Sequence, residues 1–110
     1  MKRTVFALLV VAVACLFTAA AAAAQETPAE GRGEALFMKH CSKCHPNGGN
    51  VVNVTKSLNS RDRLANNINT VEDILRLMRA PGPGMVKFGE EVISEKDAKD
   101  IAHYILKTMK

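Results

Sequence analysis

The sequence has no tryptophan, one tyrosine and only 5% aromatic residues. A chain this short with so little aromatic bulk has limited means of filling a core by itself. It has no run of like charges and no basic pattern interleaved with aromatics, so its formal net charge of +4 does not argue for a nucleic-acid partner. A strand pattern of alternating apolar and polar residues is missing, which points away from a sheet-based fold. There is no internal repeat, and low complexity is confined to an alanine tract near the start. Cysteine is scarce as well: of three residues, only Cys41 and Cys44 lie close together.

The N-terminal stretch sets the compartment. Lys2 and Arg3 form a basic start, residues 4–18 are an uncharged apolar run, residues 19–24 are alanines, and Gln25-Glu26 begins polar sequence. This is the layout of a secretory signal peptide, residues 1–24, cleaved after Ala24. The alternative is an uncleaved anchor, because residues 4–24 are long enough to cross a bilayer; the alanine-rich end favours cleavage. Cys15 lies inside the segment and leaves with it, a lipid-modified cysteine being the weaker option. Residues 25–110 remain as one domain. Without Lys2 and Arg3 it carries 13 basic and 11 acidic residues, a net charge of +2. A domain of this size buries only about 60–65% of its unfolded surface and tends to need a staple.

Cys41-Ser42-Lys43-Cys44-His45 supplies one. The spacing C-x-x-C-H reads as a covalent c-type haem attachment site. Two thiols three residues apart on one turn can each bond one vinyl group along a haem edge. The next residue then swings its imidazole beneath the iron, where a neutral imidazole is a common proximal ligand. The bland readings are a dithiol redox pair, which usually sits near a strand–helix unit; half of a zinc site, which needs four ligands where only His40 and His103 remain; and a plain disulfide. A bound haem c would replace the missing aromatic bulk, and its two propionates would bring the net charge near zero.

The rest of the domain reads as all-α. Thr27-Pro28-Ala29-Glu30 is a helix start, with Thr27 as N-cap, Pro28 at the first position and Glu30 reaching back; this helix runs towards Cys41. Pro46, Gly48 and Gly49 mark residues 47–53 as a loop. Residues 60–66 predict a short helix. Thr70-Val71-Glu72-Asp73 caps a helix over 71–79, with Val71, Ile74, Leu75 and Met78 on one face, and Pro81-Gly82-Pro83-Gly84 ends it. Ser94-Glu95-Lys96-Asp97 caps the last helix, where Ala98, Ile101, Ala102, Ile105, Leu106 and Met109 follow the 3.6-residue period. Met85 is the expected second axial ligand. It follows a Pro/Gly-rich loop that can bring backbone close to a macrocycle, and forty positions separate it from His45. A thioether favours reduced iron and raises the potential relative to a second imidazole. Met78 lies on a helical stripe that suggests packing, Met38 is too near the motif, and His40 and His103 read as ordinary side chains.

These residues together resemble the small soluble class I cytochromes c, of the short kind found in bacteria and photosynthetic organisms. Residues 33–45 match the family's first helix and attachment site, Gly48-Gly49-Asn50-Val51-Val52 the loop after it, Met85-Val86-Lys87-Phe88 its methionine loop, and Asp100-Ile101-Ala102-His103-Tyr104-Ile105 its final helix. The resemblance implies about four short helices wrapped around one haem, with Gly33 and Phe37 crossing Ile101 and Tyr104. It departs from many relatives in having Val54 and Val86 where they have proline. The first proline's carbonyl commonly accepts the hydrogen bond of the proximal imidazole, and Val54 retains a carbonyl for that bond on a less stiff loop.

The resemblance implies a one-electron carrier and no enzyme. His45 and Met85 would fill both axial positions, while Val51, Val52, Leu58, Leu64, Ile68, Leu75, Phe88 and Val92 would shield the haem from water. The expected setting is the periplasm, the expected state a monomer, and the expected partners redox proteins that touch the exposed haem edge transiently. Lys39, Lys43, Lys56 and Lys87 flank that region and would steer an acidic partner. Two alternatives are a haem protein with an open iron site that binds a small ligand or reduces peroxide, and a membrane-anchored haem subunit of a larger oxidoreductase.

Overall fold

The computed structural model describes residues 29–110; the expected signal segment and the helix-start residues Thr27 and Pro28 lie outside the described residues. The first helix, α1 (Ala29–His40), has Glu30 in its first turn and Lys39 and His40 in its last, each sign matched to the nearby end of the helix dipole. The last helix, α4 (Glu95–Thr108), starts where the Ser94 side chain accepts a hydrogen bond from the Asp97 amide. That cap satisfies a donor with no partner inside the helix.

α1 and α4 cross at Gly33, the small residue that the resemblance implied. A Cβ on Gly33 would collide with the Asp100 carbonyl oxygen and lie 3.0 Å from Tyr104 Cβ. Only glycine lets the two backbones approach this closely. One turn on, the Phe37 and Tyr104 rings meet at 5.5 Å between centroids, tilted by 50°, a favourable aromatic geometry. Ion pairs flank the crossing: Arg32 reaches Asp97 and Asp100, and Lys107 reaches Glu30.

The third helix in chain order, α3 (Val71–Arg79), opens on a complete capping box between Thr70 and Asp73. It presents Ile74 and Met78 to the core, where they join Phe37, Ile93, Ala98, Ile101, Ala102, Ile105 and Met109. Between α1 and α3 the chain makes two 3₁₀ turns, Pro46–Gly48 and Val54–Lys56, and the short helix α2 (Ser60–Ala65). Asn67 leaves α2 with a left-handed φ of 58°. Helices are the only regular elements among the described residues, as expected of an all-α chain. The core lies between α1, α3 and α4, so the segment joining α1 to α3 is left on its outer side.

Candidate haem site

The attachment motif continues α1 as a tight turn. The amides of Cys41 and Ser42 both bond the Phe37 carbonyl, at 2.8 and 3.0 Å, and those of Cys44 and His45 both bond the Cys41 carbonyl, at 3.1 and 2.9 Å. This places both thiols and the imidazole within one turn fixed to the end of a packed helix. Cys41 and Cys44 do not pair with each other in a disulfide. Cys44 is exposed, while Cys41 packs against the core and burial pushes its thiol up to about 11. Among the described residues no three histidines, cysteines or carboxylates converge on a metal ion.

His45 is oriented by its backbone neighbours. Its Nδ1 lies 2.8 Å from the Gly49 carbonyl oxygen. Since a carbonyl only accepts, Nδ1 is the donor, which in the neutral ring leaves the lone pair on Nε2. The 3₁₀ turn of Pro46–Gly48, with Asn47 at φ 51° and Gly48 at φ 80°, curls the chain so that Gly49 faces back. The acceptor is therefore Gly49 and not Val54, as the proline of the relatives suggests. Val54 instead opens its own 3₁₀ turn and is 79% exposed. Further bonds hold this loop: Val51 N to Cys44 O at 3.0 Å, Leu58 N to Gly48 O at 2.6 Å, and Asn50 Oδ1 accepting from the Val52 and Asn53 amides, both at 2.9 Å. A Cβ on Gly48 would press on Met109 at 3.1 Å, so the loop also rests on the chain's end.

The Met85 loop closes on this turn from two sides. Gly84, at φ 91°, has its Cβ position 2.9 Å from Val52 Cγ1. Three residues after Met85, the Phe88 ring meets the His40 ring edge-on at 6.2 Å. Met85 is 36% exposed, whereas Met78 and Met109 are buried in the core and Met38 projects from α1 into solvent. Among the expected apolar contacts, Leu58, Ile68, Leu75 and Phe88 are half-buried against the core. Val51, Val52, Leu64 and Val92 are mostly exposed. The chain itself thus leaves aliphatic surface uncovered next to an imidazole with a free lone pair and two unpaired thiols. This donor set and apolar surface fit a covalently attached haem. Lys39, Lys43, Lys56 and Lys87 are all exposed, and none forms an ion pair among the described residues. His103 is exposed on α4, lining a cleft against α1 with Glu34 and Tyr104.

The family described as cytochrome c oxidase, cbb3-type, subunit III matches residues 28–105. Cytochrome c6 of Cyanidioschyzon merolae is 34% identical over 74 residues, 67% of this chain and 69% of that protein. The chain is a class I cytochrome c. The solved outer membrane cytochrome F of Geobacter sulfurreducens shares 45% identity with this cytochrome, covering 71% of it and 99% of that chain with a TM-score of 0.69. Cytochrome c6C of Synechococcus sp. PCC 7002 shares 31% identity, covering 71% and 94% with a TM-score of 0.66. The cytochrome has the class I fold, carries one covalently bound c-type haem and serves as an electron carrier that acts with redox partners. No helix among its described residues is long and apolar enough to cross a membrane.

Proposed function

We propose that Cys41 and Cys44 hold the haem, that His45 is the proximal iron ligand through Nε2, and that Met85 is the ligand on the opposite face. The observation that carries this reading is the 2.8 Å contact of His45 Nδ1 with the Gly49 carbonyl. It fixes the tautomer and aims the other nitrogen, the arrangement in which a second-shell acceptor orients a ligating imidazole. The bound haem supplies one-electron chemistry at its iron. With His45 and Met85 both holding the iron, little in the chain would need to move on transfer. Val51, Val52, Leu58, Leu64, Ile68, Leu75, Phe88 and Val92 exclude water, and the Met85 thioether favours the reduced state.

In this reading electrons leave through the haem edge at the attachment motif. The unpaired lysines 39, 43, 56 and 87 form a basic rim that steers acidic partners into a small, transient contact. The protein works as a monomer in the periplasm after cleavage of residues 1–24. Absorption spectroscopy on the holoprotein tests the ligation. The ferric wild type is expected to show a sulfur-to-iron charge-transfer band that disappears in Met85→Ala, and rapid carbon monoxide binding by the reduced wild type would sink it. Mass analysis of the secreted product tests the attachment, and a mature N-terminus other than Gln25 would overturn the cleavage site.

A further inference from the structure

We infer that Arg79 is a positioning residue for the sixth iron ligand, acting by clamping the far end of the Met85 loop; this rests on the Met85 ligation proposed above. The loop leaves α3 at Ala80 and runs through Pro81-Gly82-Pro83-Gly84 to Met85. Its internal hold is slight: the Met85 amide reaches the Gly82 carbonyl only at 3.5 Å. The firm anchors lie three residues past the methionine, and both come from the last turn of α3. The Phe88 amide bonds the Met78 carbonyl at 2.9 Å, and Arg79 Nη1 donates to the Phe88 carbonyl at 2.8 Å. One peptide segment is thus gripped by donor and acceptor together.

The second observation is the other end of the same guanidinium. Arg79 Nη2 is buried and has no hydrogen-bond partner among the described residues. An arginine at the end of a helix can place its donors in water, so a buried and unmatched donor needs a reason. The Phe88 carbonyl provides it: the side chain turns inward to reach that one acceptor and leaves Nη2 unmatched. The third observation is what Phe88 does once held. Its ring sits against His40, next to Cys41, while Gly84 closes on Val52. Fixing Phe88 therefore sets the register of the methionine loop against the attachment turn. A proline directly after the methionine would stiffen this loop at its middle. Here position 86 is valine, and the clamp at position 88 takes over that task.

The test is titration of the ferric holoprotein with imidazole, which competes with Met85 for the iron. Arg79→Met is expected to bind imidazole about tenfold more tightly than the wild type, the factor that one hydrogen bond from a charged donor supplies. Arg79→Lys, which keeps a donor for the Phe88 carbonyl, falls between them. The titration is run on folded protein well below its melting temperature, so a purely structural role, which lowers the melting point alone, leaves the affinity unmoved. Equal imidazole affinity in Arg79→Met and wild type overturns the inference, provided Met85→Ala shows raised affinity. If Arg79→Met fails to mature, Arg79→Gln and Arg79→Lys are titrated in its place, and wild-type affinity in both overturns it. A wild type without the charge-transfer band, or Met85→Ala with wild-type imidazole affinity, overturns the Met85 ligation and this inference with it.

Discussion

Gly33 and Cys41 are two residues whose roles are set by a few ångströms of neighbouring backbone. A methyl group on Gly33 would sit against the Asp100 carbonyl, and that backbone cannot yield without parting α1 from α4. Gly33→Ala is expected to destabilise the holoprotein by about 1–3 kcal/mol, the usual range for overpacking, read as a fall in the urea midpoint; an unchanged midpoint would mean the helices separate freely. Cys41, half-buried with its thiol pushed up to about 11, has on the order of one part in a thousand thiolate at pH 8. In chain that has not received haem, iodoacetamide is expected to alkylate exposed Cys44 first, and mass mapping of the peptide would show the order. The C-x-x-C-H spacing was legible from residue type and position alone, whereas Gly33 facing Tyr104 was expected only through the resemblance to class I cytochromes c. The Gly49 acceptor was not legible, because every residue has a carbonyl and only the 3₁₀ turn decides which one faces His45. Arg63 and Arg79 escaped notice for the same reason. Both bond backbone carbonyls, Arg63 those of Leu58 at 2.8 Å and Met109 at 3.1 Å, and no pattern in the sequence marks such partners.

At the scale of elements, α3 and α4 carry their own start signals. α3 has a capping box and an apolar stripe, and the expected span 71–79 is the observed one. α4 has Ser94 and a long periodic face. α2 has neither, since Asn59 makes no side-chain cap, yet the expected span 60–66 differs from the observed Ser60–Ala65 by one terminal residue. Thr70→Ala removes the oxygen that accepts from the Asp73 amide at 3.1 Å and is expected to lower stability by about 1 kcal/mol. Asp73 completes the box by accepting from the Asn69 and Thr70 amides, both at 3.0 Å. The Asn69 amide bond, with Thr70 and Arg76 adding to it, holds this carboxyl down at about 2 against the usual 3.8. A carboxylate lowered by folding stabilises the folded state fully above its unfolded value and loses that effect as the pH falls through its folded value. The melting temperature of the wild type should therefore exceed that of Asp73→Asn above pH 3.8, and the difference should shrink as the pH approaches 2. A difference that stays constant through this window would assign the effect to something other than the charge.

At the scale of the whole molecule, burial is unevenly divided. The buried apolar side chains come from α1, from α3, and from Ile93 through α4 to Met109; residues 41–70 contribute none, and their buried positions are Gly48, Ser57 and Arg63. In that segment Val51 and Val52 are 63% and 61% exposed and Leu64 is 62% exposed. Polypeptide alone cannot stabilise a segment that buries so little, because ordering each residue's backbone costs about 1–2 kcal/mol. The haem is the partner that would cover this surface, so stability here belongs to the chain and its prosthetic group jointly. The double variant Cys41→Ala/Cys44→Ala, which has no thiols for attachment, tests this by amide hydrogen exchange. The amides of Val51, Leu58 and Ile68, bonded to Cys44, Gly48 and Arg63 at 3.0, 2.6 and 2.8 Å, are expected to lose their protection. Ala98, whose amide bonds Ser94 at the start of α4, reports on the other half and separates a local loss from global unfolding. Holoprotein-level protection at Val51, Leu58 and Ile68 would show that the chain orders this half without its haem, and that the exposed valines serve some purpose other than covering it.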